Sequence, residues 1–168
     1  DMNREDDYSS ISKELLQQLP QGAFLTVKSG SRVNTMTIGW VSIGFIWGRP
    51  VFTVMVRKSR YTHELIERAS DFTVSVPLNG ALKDELSLCG TKSGRDIDKI
   101  NESGLKLREG QKTESPVIDG CDIYVECKIV YKQAMDSGNL DRGIERSSYP
   151  SGDYHTFYCG EIEKIYSD

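Results

Sequence analysis

The chain has few of the residues that commonly bind metals or act as nucleophiles. Its only histidines are His63 and His155, and no H-E-x-x-H segment occurs, which excludes the two-histidine helix of zinc hydrolases. Its four cysteines, Cys89, Cys121, Cys127 and Cys159, lie far apart without a C-x-x-C pair, so neither a zinc site nor a redox dithiol is expected. They read as reduced thiols, with Cys127 and Cys159 packed into apolar strands. No G-x-S-x-G elbow and no G-x-G-x-x-G fingerprint is present. Gly90-Thr91-Lys92-Ser93 lacks the spacing of a nucleoside-triphosphate loop.

An excess of positive charge is also missing. Lys and Arg number 21 against 25 Asp and Glu, a formal net charge of -4, so nothing electrostatic draws the chain to nucleic acid or anionic lipid. No apolar run approaches the roughly 20 residues of a membrane helix. The opening DMNREDDYSS is acidic and polar, unlike a charged-then-apolar leader. The expectation is a cytoplasmic protein with neither nucleic acid nor membrane as a partner. At 168 residues, one domain over 1–168 fits, with 1–9 as a flexible N-terminus.

Strand patterns dominate what remains. Ile11, Leu15, Leu16 and Leu19 recur at helical spacing behind Ser10 as a possible cap, predicting a short amphipathic helix over 10–19 that Pro20-Gln21-Gly22 stops. AFLTVK (23–28), VNTMTIGWVSIGFI (33–46) and VFTVMVR (51–57) are rich in β-branched and aromatic residues and predict three consecutive antiparallel strands. Helices are expected over 62–69 and 81–88 around a strand at 72–77. Long alternating strands at 122–132 and 154–166 flank a polar excursion, 133–153. Without regular β-α-β alternation the fold class is mainly β, a β-barrel with flanking helices.

Three segments carry candidate chemistry. In Arg57-Lys58-Ser59-Arg60-Tyr61-Thr62, cations and hydroxyls meet at a strand-to-helix turn, an arrangement suited to a phosphate dianion. The same residues are equally compatible with a solvated strand end in which Thr62 caps the helix. Lys58 is expected to point away from its neighbours. In Asn34-Thr35-Met36-Thr37, followed by Ile38-Gly39-Trp40, small polar side chains and a glycine would let a flat heteroaromatic ring approach the backbone; a strand with one wet face and a bulge at Gly39 would look the same. In Ser93-Gly94-Arg95-Asp96-Ile97-Asp98-Lys99, the residues suggest a polar lip, or a short helix begun by Asp96 or Asp98 and ended by Gly104.

Taken together, NTMTIGW (34–40), RKSRYTHELI (57–66), SGRDIDK (93–99) and the strand YHTFYCGEIE (154–163) resemble the flavin reductase-like, FMN-binding split-barrel family, in particular its flavoredoxin-like branch. The resemblance runs over roughly residues 20–166 and implies an FMN-binding split barrel. It implies that Asn34, Thr35, Met36 and Thr37 line the isoalloxazine, and that Arg57, Ser59, Arg60, Tyr61 and Thr62 hold the phosphate and ribityl chain. It further implies an oxidoreductase that takes hydride from NADH or NADPH and passes electrons to free flavin or a redox partner protein. The flavin performs the chemistry, so no dedicated catalytic side chain is required. His155, with Ser93 and Arg95, would lie near the open flavin face, although His155 also reads as a partly exposed strand histidine. A homodimer is implied as well. A flavoredoxin-type electron carrier and a non-catalytic flavin-binding module are the alternatives.

Overall fold

The computed structural model describes residues 8–168. The amphipathic helix α1 spans Tyr8–Gln18 and buries Ile11 and Leu15. Ser10 therefore lies inside the helix and does not cap it. Of the expected flexible stretch, Tyr8 and Ser9 are helical, and 1–7 fall outside the described residues. A 3-10 turn at Leu19–Gln21, with proline at its start, ends at Gly22, whose φ of 102° favours glycine.

The first strands are β1 (Ala23–Ser29), β2 (Arg32–Ile38), β3 (Val41–Ile46) and β4 (Arg49–Arg57). The predicted strand 33–46 is thus two strands, interrupted at Gly39-Trp40. Helix α2 (Tyr61–Ile66) is shorter than its pattern, and it leads to β5 (Asp71–Val76). Helix α3 (Lys83–Thr91) starts after Leu82, which has a φ of 54°. The five-residue α4 (Lys99–Ser103) is capped by Asp98, which accepts from the Asn101 amide, and is closed by Gly104 at φ 72°. A two-stranded ribbon joins β6 (Leu107–Arg108) to β7 (Val117–Ile118). The long strands are β8 (Ile123–Ala134) and β9 (His155–Ser167). The stretch between them is more ordered than its polarity suggested: it holds a 3-10 turn and helix α5 (Arg142–Ser148), capped by Asp141.

The main sheet has seven antiparallel strands in the order β2-β1-β5-β8-β9-β4-β3. Strands β2 and β3 are consecutive in sequence yet form its two opposite edges: β2 pairs with β1 and β3 with β4, as expected, but the middle strand of the expected run of three is divided between them. Only Gly39 and Trp40 join these edges, a reach of about 11 Å at most. The sheet must therefore curl until its edges nearly meet, giving a barrel open along one seam. Fold class and split-barrel architecture agree with the sequence reading.

Alternation along the strands divides the core. Leu25, Val27, Phe52, Val54, Phe72 and Val125 fill the barrel, while Phe24, Leu86, Val117, Tyr124 and Tyr166 pack outside it beneath α3 and the ribbon. Strand β5 is buried on both faces although it alternates polar and apolar residues, and its polar face is satisfied by hydrogen bonds: Thr73 Oγ1 donates to the Pro116 carbonyl and Ser75 Oγ accepts from the Ile118 amide. A loop between β6 and β7 is fastened by two buried carboxylates. Asp71 accepts from the amides of Glu114 and Ser115, and Glu126 accepts from the Lys112 and Thr113 amides and the Tyr166 hydroxyl. All four cysteines are free; three are buried, and Cys159 is half-buried. Among the described residues, no helix is long and apolar enough to cross a membrane.

Candidate functional site

The seam between the barrel edges opens into a cleft of about 260 Å³. One wall is the end of β2 and its crossing, Met36, Thr37, Ile38, Gly39 and Trp40; the other is Met55 and Arg57 on β4, with Arg60 and His155. Arg57 and His155 are direct partners across the β4–β9 pairing, which explains why two residues so distant in sequence face one cavity. The crossing is built for close approach: Gly39 is exposed, and a Cβ there would come within 3.1 Å of the Leu19 carbonyl. The Trp40 ring is 52% exposed and tilts toward the His155 imidazole at a centroid distance of 5.5 Å.

The predicted ring-binding quartet divides. Met36 and Thr37 line the cleft, and the Thr37 hydroxyl donates to the Leu86 carbonyl (2.5 Å). Thr35 is fully buried, and its Oγ1 accepts from Thr26 Oγ1. Asn34 faces a second hollow of about 460 Å³, shared with Tyr61, Gly94, Arg95 and Arg32. There the Asn34 amide donates to Thr62 Oγ1 at 2.9 Å, tying β2 to α2. Thr62 therefore does not cap its helix; the N-cap residue is Arg60, with no side-chain cap. Gly94 presses against this pair, since a Cβ would lie 2.3 Å from Asn34 Oδ1 and 2.7 Å from the Tyr61 ring.

The cationic turn is held by a strap at 148–153. Arg57 donates to the carbonyls of Ser148 (3.0 Å) and Asp153 (3.1 Å), and its guanidinium lies 4.8 Å from the centre of the Tyr149 ring. The Ser59 amide and hydroxyl donate to the two carboxylate oxygens of Asp153, at 3.0 and 2.5 Å. Both donors of Ser59 are thus taken up by the chain's own carboxylate, which ties the turn to the strap. Lys58 is exposed. Arg60 reaches inward to the carbonyls of Cys89 and Gly90. Arg95 is placed in the second hollow, where it binds Glu64 and the Ser59 carbonyl and lies over Tyr61. Ser93 lines neither cavity; its hydroxyl accepts from the Arg95 amide and shapes the loop.

His155 is buried, not partly exposed, and its Nδ1 shares a 2.6 Å hydrogen bond with the Tyr149 hydroxyl. Burial, reinforced by the Arg57 charge, lowers its pKa to about 4, so the ring is neutral at neutral pH. The cleft thus brings two guanidinium groups and a neutral imidazole opposite a wall running from Met36 to Trp40. Among the described residues, no cluster of three or more His, Cys, Asp or Glu side chains has metal-binding geometry.

Sequence reasoning missed several participants. Met55 could have been found from strand alternation, since it lies two residues before Arg57 on the same face. Asp153 and Tyr149 carry no local signal, and Lys99, the last residue of the SGRDIDK segment, has no role of its own in that pattern. Lys99, the first residue of α4, is buried with its ammonium on the carbonyls of Thr35 (3.1 Å) and Cys89 (3.0 Å).

Against known proteins, residues 17–168 match the flavin reductase like domain. An uncharacterized protein of Archaeoglobus fulgidus is 32% identical over 154 residues, covering 92% of this chain and 76% of its own length. A high molecular weight rubredoxin of Moorella thermoacetica is 31% identical over 134 residues, 79% of this chain and 54% of the relative. Among solved structures, a flavoredoxin from Methanosarcina acetivorans superposes with a TM-score of 0.67 at 28% identity, over 88% of this chain and 68% of the other.

Proposed function

The chain belongs to the flavin reductase like domain family, and on that premise we propose that it is an FMN-binding oxidoreductase accepting hydride from NADH or NADPH. The observation that carries this reading is the seam cleft itself, with a flat wall at Met36–Trp40 facing Arg57, Arg60 and His155. The residues fit the cofactor. A donor pair on Ser59 already holds two carboxylate oxygens, and guanidinium groups border the opening. At about 260 Å³ the cleft lies near the lower end of small-molecule sites, about 300 Å³, in keeping with a planar ring entering from an open side.

When bound, FMN supplies the chemistry, taking up a hydride equivalent and releasing electrons to free flavin or to a redox partner protein. The side chains bind and orient. Met36, Thr37 and the open backbone at Gly39 would bed the ring and Arg57 and Ser59 would answer the phosphate, while Arg60, turned inward onto the Cys89 and Gly90 carbonyls, borders the cleft beside Met36 and Thr37. Trp40, with its ring tilted toward His155, would offer the aromatic face on which a nicotinamide could stack. Neutral His155 orients without giving up a proton. Asn34, Tyr61, Thr62, Ser93 and Arg95 act from the adjoining hollow, fixing the turn and the lip beside it.

The site's partner is a second copy of the chain. Phe45, Ile46 and Trp47 are exposed on the unpaired edge strand β3 and the turn after it, near exposed Tyr131, whose ring is 6.2 Å from Trp47. An unpaired apolar edge of this kind marks an interface. Four free thiols suit the cytoplasm, where thiols stay reduced.

A second reading, a flavoredoxin-type carrier fed by another protein, is favoured by the relatives named flavoredoxin and high molecular weight rubredoxin. The deciding measurement is the visible spectrum of the FMN-loaded protein, taken anaerobically before and after NADH and then NADPH. Rapid bleaching supports the reductase. A flavin that stays oxidised favours the carrier, and no flavin uptake at all refutes both.

A further inference from the structure

Lys99 is the only lysine among the described residues that is buried, at 3% exposure. Its ammonium meets only neutral acceptors, the carbonyls of Thr35 on β2 and of Cys89 near the end of α3. Arg60 donates to the same Cys89 carbonyl at 3.2 Å and to Gly90 at 3.1 Å. Two cations therefore share one carbonyl, and among the described residues neither forms an ion pair with a carboxylate. Burying a charge without a counter-charge is costly. If the only task were to cover the free edge of β2, an apolar side chain would serve better. Burial, then the neighbouring Arg60, lowers the Lys99 pKa to about 8, so the ammonium is still mostly charged at pH 7. Arg60 lines the cleft beside Met36 and Thr37, while Lys99 sits behind that wall, bonded to the carbonyl of the residue just before them and to the Cys89 carbonyl that Arg60 shares.

We propose that Lys99 and Arg60 form an unneutralised cation pair that favours the more negative, reduced state of a flavin in the cleft, with Lys99 as the positioning residue. This rests on the flavin-binding reading. A hydride equivalent, two electrons and one proton, leaves the nicotinamide one unit more positive and the flavin one unit more negative. A fixed cation pair beside the ring binds the reduced cofactor more tightly than the oxidised one and so raises its potential.

The test uses the full chain loaded with FMN, comparing wild type, Lys99→Met and Lys99→Arg at pH 7. In Lys99→Met, reduced FMN should bind about tenfold more weakly relative to oxidised FMN, a shift of about 30 mV to more negative potential for a two-electron couple. Lys99→Arg keeps the charge and should stay near wild type. An unchanged potential in Lys99→Met overturns the proposal. Riboflavin, which lacks the phosphate, should show the same shift; a shift confined to FMN means the pair neutralises the phosphate, and this too overturns it. If Lys99→Met does not fold, Arg60→Met carries the same expected sign and the same refutation. Wild type that takes up neither flavin defeats the underlying flavin reading, an outcome separate from a bound flavin whose potential does not move.

Discussion

Asp153 holds the donors that the proposed phosphate would need, so neutralising it should tighten FMN binding. In Asp153→Asn the side chain keeps its shape, and asparagine tolerates the left-handed backbone found there, φ 55°, so the strap should keep its course. The lost charge acts on two hydrogen bonds, from the Ser59 amide at 3.0 Å and the Ser59 hydroxyl at 2.5 Å. Bonds to a charged group contribute about 1.5–3 kcal/mol when sheltered. These are solvent-exposed, so a discounted total of about 1 kcal/mol is appropriate. A phosphate dianion must displace the carboxylate and then remain near it, and their repulsion at about 4 Å in water adds about 1 kcal/mol for each unit charge. Relieving both terms, about 2–3 kcal/mol together, should tighten FMN by roughly 30- to 100-fold, at about 1.4 kcal/mol per decade. Titration of the cofactor-free protein, followed by quenching of flavin fluorescence, measures this directly. Riboflavin serves as the control and should bind Asp153→Asn and wild type equally. FMN binding that is unchanged or weaker in a variant of normal stability would refute the reasoning and remove Ser59 from the phosphate site.

Other expectations follow from particular contacts. Ser59→Ala and Arg57→Ala should each weaken FMN more than riboflavin, and an unchanged FMN affinity in both removes the turn from the site. Gly160→Ala would put a Cβ 2.6 Å from both Cys127 Cβ and Phe72 Cζ in a fully buried core, so thermal unfolding should show a loss of about 1–3 kcal/mol. Acid should destabilise the fold in two steps. His155 has a folded pKa near 4, below the 6.5 of a free histidine, so the unfolded chain binds its proton first and stability falls as pH drops from about 6.5 toward 4. Burial alone would raise the Glu126 carboxyl, but the bonds from Tyr166, the Lys112 and Gln111 amides and Thr113 together hold it below the usual carboxylate range; its contribution is lost as pH falls further. His155→Gln should flatten the first step and Glu126→Gln the second, as read from melting temperature against pH. Trp47→Ser with Phe45→Ser should convert a dimer to monomer in sedimentation, and wild type that is already monomeric refutes the interface.

Much of the barrel was legible because its strands alternate cleanly, and much of the candidate cleft because Met36 through Trp40 line it as one contiguous segment. What escaped was decided by distant partners. The run VNTMTIGWVSIGFI is rich in β-branched and aromatic residues and holds no proline or charge, so its pattern reads as one strand. It breaks because its halves pair with different neighbours, β2 with β1 and β3 with β4, and a local pattern cannot register that choice. Asp153 is 94 residues from Ser59, and Lys99 reverses the strong tendency of lysine to lie in water. The missed break and the site are one feature. A continuous strand would have kept Met36 through Trp40 within a regular sheet, with the sheet's edges elsewhere. Crossing the seam instead leaves Gly39 and Trp40 unpaired and exposed, opposite Arg57 and His155 on the far side. The cleft exists because the barrel is split there, so a substitution that bridged the seam would be expected to preserve the core and abolish binding.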